Sequence, residues 1–165
     1  MSAKEQLVLK ISQKTEYAMR AMVELAIRRV REPEVLIPAR AIAEAQHIPL
    51  RFLEQQLGAL HKAGLVESFR GAGGGCRLAR DPGEIRVSEV VDVIEGPLYP
   101  MYCLNEEDHD CFQDAQCGLQ ELWGDVHIAI RQVFERTTLA ELAERHQRMA
   151  ERPVWAPSEL IRPRA

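Results

Sequence analysis

Residues 48–75 read IPLRFLEQQLGALHKAGLVESFRGAGGG, and this stretch decides the fold. Leu53, Leu57 and Leu60 lie four and three residues apart, which predicts a helix from about Leu50 to Lys62 with one buried stripe. Gly64 ends that helix in the manner of a C-terminal cap. Leu65-Val66-Glu67-Ser68-Phe69 is of β type, and Arg70-Gly71-Ala72-Gly73-Gly74-Gly75 is too rich in glycine to be regular. Cys76-Arg77-Leu78-Ala79 returns as a second short strand, and Asp81-Pro82-Gly83 closes the hairpin.

Upstream, Ser12 suits the cap of a helix reaching about Arg31, with Tyr17, Ala21, Leu25 and Ala26 near helical spacing. Pro38 suits the first turn of a short second helix through Ala45, and Gln46-His47-Ile48-Pro49 is a tight connection to the third. Three helices, a tight turn before the third, and a hairpin with a basic tip make a mainly α, winged helix-turn-helix plan. A helix fits the major groove of DNA, where base edges present a distinct donor and acceptor pattern, and a basic hairpin reaches phosphates or the adjoining minor groove. Arg51, Glu54 and Gln55 lie within about a turn near the start of the third helix. Their preferences are guanine, a cytosine amino group and adenine respectively. Each taken singly also suits an ordinary solvated helix face. Arg70 stands at the wing tip among glycines.

The net charge of −4 hides an asymmetry. Residues 1–80 carry a balance of +5, residues 81–125 one of −11, and residues 126–165 one of +2. A basic lobe can meet a polyanion while an acidic lobe stays away from it, so the overall balance does not exclude DNA. No apolar run approaches the ~18 residues of a membrane span. Met1 to Leu9 has no apolar signal core, so a cytoplasmic location and no membrane association are expected. No phosphate-binding glycine loop joined to a strand–helix unit, no nucleophile elbow and no HExxH are present, and an enzyme is not expected. His47, His61, His127 and His146 are scattered, as surface or satisfied histidines are.

Downstream, Ser88 is expected to cap a helix through Glu95, stopped by Gly96-Pro97. Residues 96–116 show no period, and a loop of that length inside a domain is usually functional or disordered. From Cys117 to about Arg136 a helix is expected, with Leu119, Leu122, Trp123, Val126, Ile130, Val133 and Phe134 on one face. That is more apolar surface than one small domain covers easily, and it points to a homodimer reading a pseudo-palindromic double-stranded operator. Thr138-Leu139-Ala140-Glu141 starts a last helix to about Met149. The expected organisation is a DNA-binding domain over 10–95, a cysteine loop over 96–117, dimerisation and C-terminal helices over 117–150, and a flexible tail over 151–165.

Cys103-x7-Cys111-x5-Cys117 is the chemically informative spacing. Zinc sites usually pair cysteines two to four residues apart, whereas these wider gaps suit a loop wrapped around an iron–sulfur cluster. The spacing leaves a zinc site and plain thiols open. Glu106-Glu107-Asp108-His109-Asp110 is a solvated acidic run that would also lower a nearby cluster's potential.

Residues 10–150, and above all the run from Phe52-Leu53-Glu54-Gln55 through Lys62-Ala63-Gly64-Leu65 to Gly75, resemble the Rrf2 family of winged-helix transcription regulators, which includes IscR, NsrR and RirA. The resemblance implies that Arg51, Glu54, Gln55 and Arg70 contact DNA, Arg70 in the minor groove. It implies that Cys103, Cys111 and Cys117 hold a cluster, 4Fe–4S in preference to 2Fe–2S, which senses iron, nitric oxide or redox state, with repression the favoured mode. A histidine that serves some members as fourth ligand is replaced by Gln120. Glu16 on the first helix, reaching from the partner subunit, takes that place by analogy, with His109 and Asp110 as weaker candidates. Cys76 departs from the usual residue after the glycines and reads as a small buried filler.

Overall fold

A computed structural model describes residues 11–105 and 117–150 of the chain, Tyr102 by its backbone alone. The elements are α1 (Gln13–Arg31), α2 (Ala39–Gln46), α3 (Leu50–Lys62), β1 (Val66–Phe69), β2 (Gly75–Leu78), α4 (Val87–Ile94), a single 3-10 turn (Tyr102–Leu104), α5 (Gln120–Arg136) and α6 (Leu139–Ala150). This is a mainly α, winged helix-turn-helix followed by a long helix, as the sequence implies. Cys111, the whole acidic run from Glu106 to Asp110 and the expected tail lie outside the described residues.

α1 is the central post. Ser12 caps it by accepting the Thr15 N–H at 3.4 Å. Ala18, Ala21, Met22 and Leu25 recur at helical spacing and are fully buried. Around this stripe pack α2, α3, α4, β2 and α6. α3 has the expected bounds, and Leu53, Leu57 and Leu60 form its buried side. Gly64, at φ 73°, turns the chain out of the helix while the Leu65 N–H returns to Leu60 O at 2.9 Å.

β1 and β2 pair antiparallel from Val66 opposite Leu78 to Phe69 opposite Gly75. The outer edge of β2 is also paired, because Ile37 and Cys76 exchange backbone hydrogen bonds at 3.0 and 2.9 Å. That approach requires glycine at position 75, where a Cβ would lie 2.7 Å from the Ile37 carbonyl carbon. Gly74 is equally constrained, by the Phe69 carbonyl oxygen.

Several local expectations are corrected. Ser88 does not cap α4. It is buried inside the first turn, and Arg86 takes the cap position. The cause is long-range: the Val87 N–H donates to Thr137 O at 2.9 Å, and Arg86 bridges to Thr138. Pro38 precedes α2 instead of entering its first turn. α5 begins at Gln120, three residues beyond Cys117, with the Gln120 N–H donating to Cys117 O at 3.2 Å. Thr138 does cap α6, its hydroxyl accepting the Glu141 N–H at 3.2 Å.

Candidate nucleic-acid interface and cysteine segment

The buried stripe of α3 leaves the opposite face to solvent, and Arg51, Glu54 and Gln55 are all exposed there. Phe52, 52% exposed, stands beside them and was not picked out by the sequence pattern. The turn that leads into α3 is held by polar contacts that hydrophobic periodicity does not reveal. Glu24 is buried on α1, accepts Gln46 Nε2 at 3.0 Å and pairs with Arg28 Nε at 2.8 Å. Arg20 donates to the Gln46 carbonyl. Together they fasten the end of α2 to α1.

The wing carries two arginines with different fates. Arg77 Nε pairs with Glu67 at 2.8 Å, its Nη1 pairs with Glu34, and its guanidinium lies 5.4 Å from the centre of the Phe69 ring. The Glu67 hydrogen bond, with the Glu34 one, raises its pKa further. Arg70, at the turn, is exposed. Between α3 and the wing runs an open groove of about 640 Å³, walled by Glu54, Gly58 and His61 on one side and Ser68 and Arg70 on the other. His61 Nδ1 lies 2.9 Å from Val66 O, which accounts for that histidine within the fold. Cys76 is buried, its thiol donates to Ile37 O at 3.3 Å, and burial pushes its pKa up to about 11. It is a protonated filler.

The cysteine segment leaves α4 at Glu95. That carboxylate accepts the Ser12 N–H at 2.8 Å and the Thr15 hydroxyl at 2.7 Å, joining the segment's start to the first turn of α1. Burial pushes the Glu95 pKa up, but hydrogen bonds from Ser12 and Thr15, with Lys14 nearby, outweigh it and hold the carboxyl below its ordinary value. Cys103 is half-buried in the 3-10 turn, which packs on α5, and Cys117 is half-buried just before α5. Glu16 is exposed on α1 and pairs with Arg20 at 3.5 Å. Among the described residues no three His, Cys, Asp or Glu side chains gather as metal ligands, so one chain does not assemble Glu16, Cys103 and Cys117.

The apolar set on α5 forms the expected single stripe, but only one flank of it meets the other described residues. His127, Ile130 and Phe134 line a cavity of about 350 Å³ with Val91, Leu98 and Tyr99. His127 Nδ1 lies 2.9 Å from Leu98 O, and its ring stacks on Tyr99 at 5.4 Å. Arg131 crosses from α5 to Asp92 on α4 at 2.5 Å. Leu119, Leu122 and Val133 instead remain exposed at 56%, 51% and 43%. At 100° per residue the seven apolar residues from Leu119 to Phe134 span an arc of about 120°, of which one flank meets α4 and the other stays uncovered. No residue of α5 is buried.

A winged helix-turn-helix joined to a long, half-covered helix defines the class: a transcription regulator of the DNA-binding kind. The chain belongs to the Rrf2 family, whose model, an iron-dependent transcriptional regulator, matches residues 11–145. The regulator CymR of Bacillus subtilis is 35% identical over 135 residues, 82% of this chain and 90% of the relative. The regulator IscR of Vibrio campbellii is 34% identical over 134 residues, 81% of this chain and 77% of the relative. Among solved structures, CymR, the global cysteine regulator of B. subtilis, superposes with a TM-score of 0.71 at 33% identity, covering 84% of this chain and 98% of that one. IscR of T. potens superposes at 0.67 and 31% identity, covering 92% and 96%. Among the described residues no helix is long and apolar enough to cross a membrane.

Proposed function

We propose that this protein is a homodimeric transcription regulator, a repressor in its simplest form, whose grip on a pseudo-palindromic operator depends on an iron–sulfur cluster held by Cys103, Cys111 and Cys117. The observation that carries the reading is the placement of Cys103 and Cys117 at the α4–α5 junction, between the base-reading module and a helix with no buried residue. Soft thiolates are the donors that iron–sulfur clusters take. Glu16 of the partner subunit is proposed to complete the ligand set, since Glu16 is exposed and Gln120 offers no thiolate or imidazole. The uncovered Leu119, Leu122 and Val133 form the proposed dimer seam. Arg51, Glu54 and Gln55 read base edges in the major groove, and Arg70 enters the minor groove beside it.

When bound, such a cluster supplies a 4Fe–4S or 2Fe–2S centre sensitive to iron supply, nitric oxide and redox state. The chain's own part is to tie residues 103–117 to α5, and through Glu95 to α1, which sets the spacing of the two α3 helices. A coupling of about 1–3 kcal/mol changes operator affinity about 5–150-fold. Protein purified without air should be coloured and contain iron by Mössbauer spectroscopy, and its apo form should bind operator with altered affinity. Cys111→Ala should lose the visible absorption and shift operator affinity while keeping its helix content. Colourless, iron-free protein that binds operator unchanged would sink the reading. The similarity to CymR favours a second one, a cluster-free thiol or zinc regulator on the same DNA-binding frame. Absorbance separates the two.

A further inference from the structure

Gly58 lies in the middle of α3, where glycine is among the poorest helix formers. Nothing among the described residues asks for it. Its φ is not in the left-handed region, and a Cβ built on it meets no heavy atom within 4 Å. Gly74 and Gly75 differ, because each has backbone packed where a side chain would go. Gly58 opens instead onto the groove between α3 and the wing.

We infer that this groove seats one sugar–phosphate strand of the operator, with Gly58 as the point of closest approach and the Ser68 hydroxyl as a phosphate donor. The inference rests on the base-reading role proposed above for α3 and Arg70. In a duplex, a major groove and its adjoining minor groove are divided by a single backbone strand. With α3 in the first and Arg70 in the second, that strand passes between α3 and β1. The groove's chemistry suits it. It is open, Ser68 is an exposed hydroxyl on the β1 side, and Arg70 adds a cation at the rim. Glu54, the acidic group in the wall, belongs to the base-reading face, where it accepts from cytosine amino groups. An exposed helical glycine facing a phosphate strand exchanges helix stability for contact distance. Backbone contacts of this kind fix register and do not select sequence.

The probe is a duplex that the wild-type protein selects from a random-sequence pool. Gly58→Ala should raise Tm by about 2–4 °C and weaken binding about tenfold, and Gly58→Leu should weaken it about a hundredfold with an unchanged helical spectrum. Base preference, measured over single-base variants of the probe, should be unaltered in both. Ser68→Ala should lose about threefold. Ethylation of single phosphates should block wild-type binding on the strand segment between the major-groove and minor-groove contacts. The proposal falls if Gly58→Ala is stabilised yet binds as tightly as wild type, or if ethylation interferes only elsewhere. Arg51→Ala and Arg70→Ala variants that both bind like wild type would instead remove the underlying base-reading role, whatever Gly58→Ala does.

Discussion

Leu60 on α3 and Leu122 on α5 carry the same side chain, yet Leu60 is fully buried and Leu122 is 51% exposed. Around Leu60 the chain supplies every wall: α1, the start of β1 and α4 all pack on α3. Around Leu122 the described residues supply little, and none of the residues of α5 is buried among them. The difference is between a region whose geometry is complete in one chain and a region that leaves apolar surface over, which the proposed dimer would cover. On the proposed reading, the first holds its shape for base reading and the second answers to whatever the cysteines bind.

Paired truncations test this contrast at its largest. Leu60→Ala should lower unfolding stability by about 2–5 kcal/mol in a denaturant titration. Leu122→Ala should cost less than about 0.5 kcal/mol at dilutions where the chain is monomeric, while weakening self-association in sedimentation runs. Equal losses in both would erase the distinction. Arg70→Ala sharpens it within the wing: operator binding should weaken by about 1–3 kcal/mol by fluorescence anisotropy, with Tm unmoved, because Arg70 is exposed and the ion pairs of the hairpin belong to Arg77. A matching drop in Tm would mean that Arg70 supports the hairpin itself.

The smallest effect is at the joint between the regions. The Glu95 carboxyl is held below its ordinary pKa by Ser12 and Thr15. Its contribution is therefore present above the unfolded-state value and is lost as pH falls through the lower folded value. Glu95→Gln should lower the neutral plateau and flatten the acid limb of the stability curve in that window, so that variant and wild type converge at low pH. An unchanged acid limb would remove Glu95 from the joint.

What could be read in the sequence followed from local chemistry. The Leu53, Leu57, Leu60 stripe and Gly64 locate α3 to the residue, and Ser12 and Thr138 cap the helices they precede. What could not be read came from partners far along the chain. Ser88 looks like a cap, but Thr137 and Thr138 fix where α4 begins. Ile37 extends the wing from 39 residues away, through a bridge no short-range pattern announces. Glu24 and Gln46 meet across 22 residues. At the proposed sites, exposure of Arg51, Glu54, Gln55 and Arg70 agrees with the pattern, and the α5 stripe is present as read, although a one-dimensional stripe does not say which of its flanks finds a neighbour.

One more property follows from how α5 is fastened. Its C-terminal end is pinned where the Leu139 N–H donates to Ile85 O at 3.0 Å and the Ala140 N–H to Pro82 O at 3.1 Å. Its other end is the cysteine end. Seventeen residues make a rod of about 25 Å between them. Swung about such a pivot, a rotation of about 5° displaces the far tip by about 2 Å. On the proposed reading the helix would serve as a lever between the start of α4 and Cys117, with the Arg131–Asp92 pair as a restraint along its length.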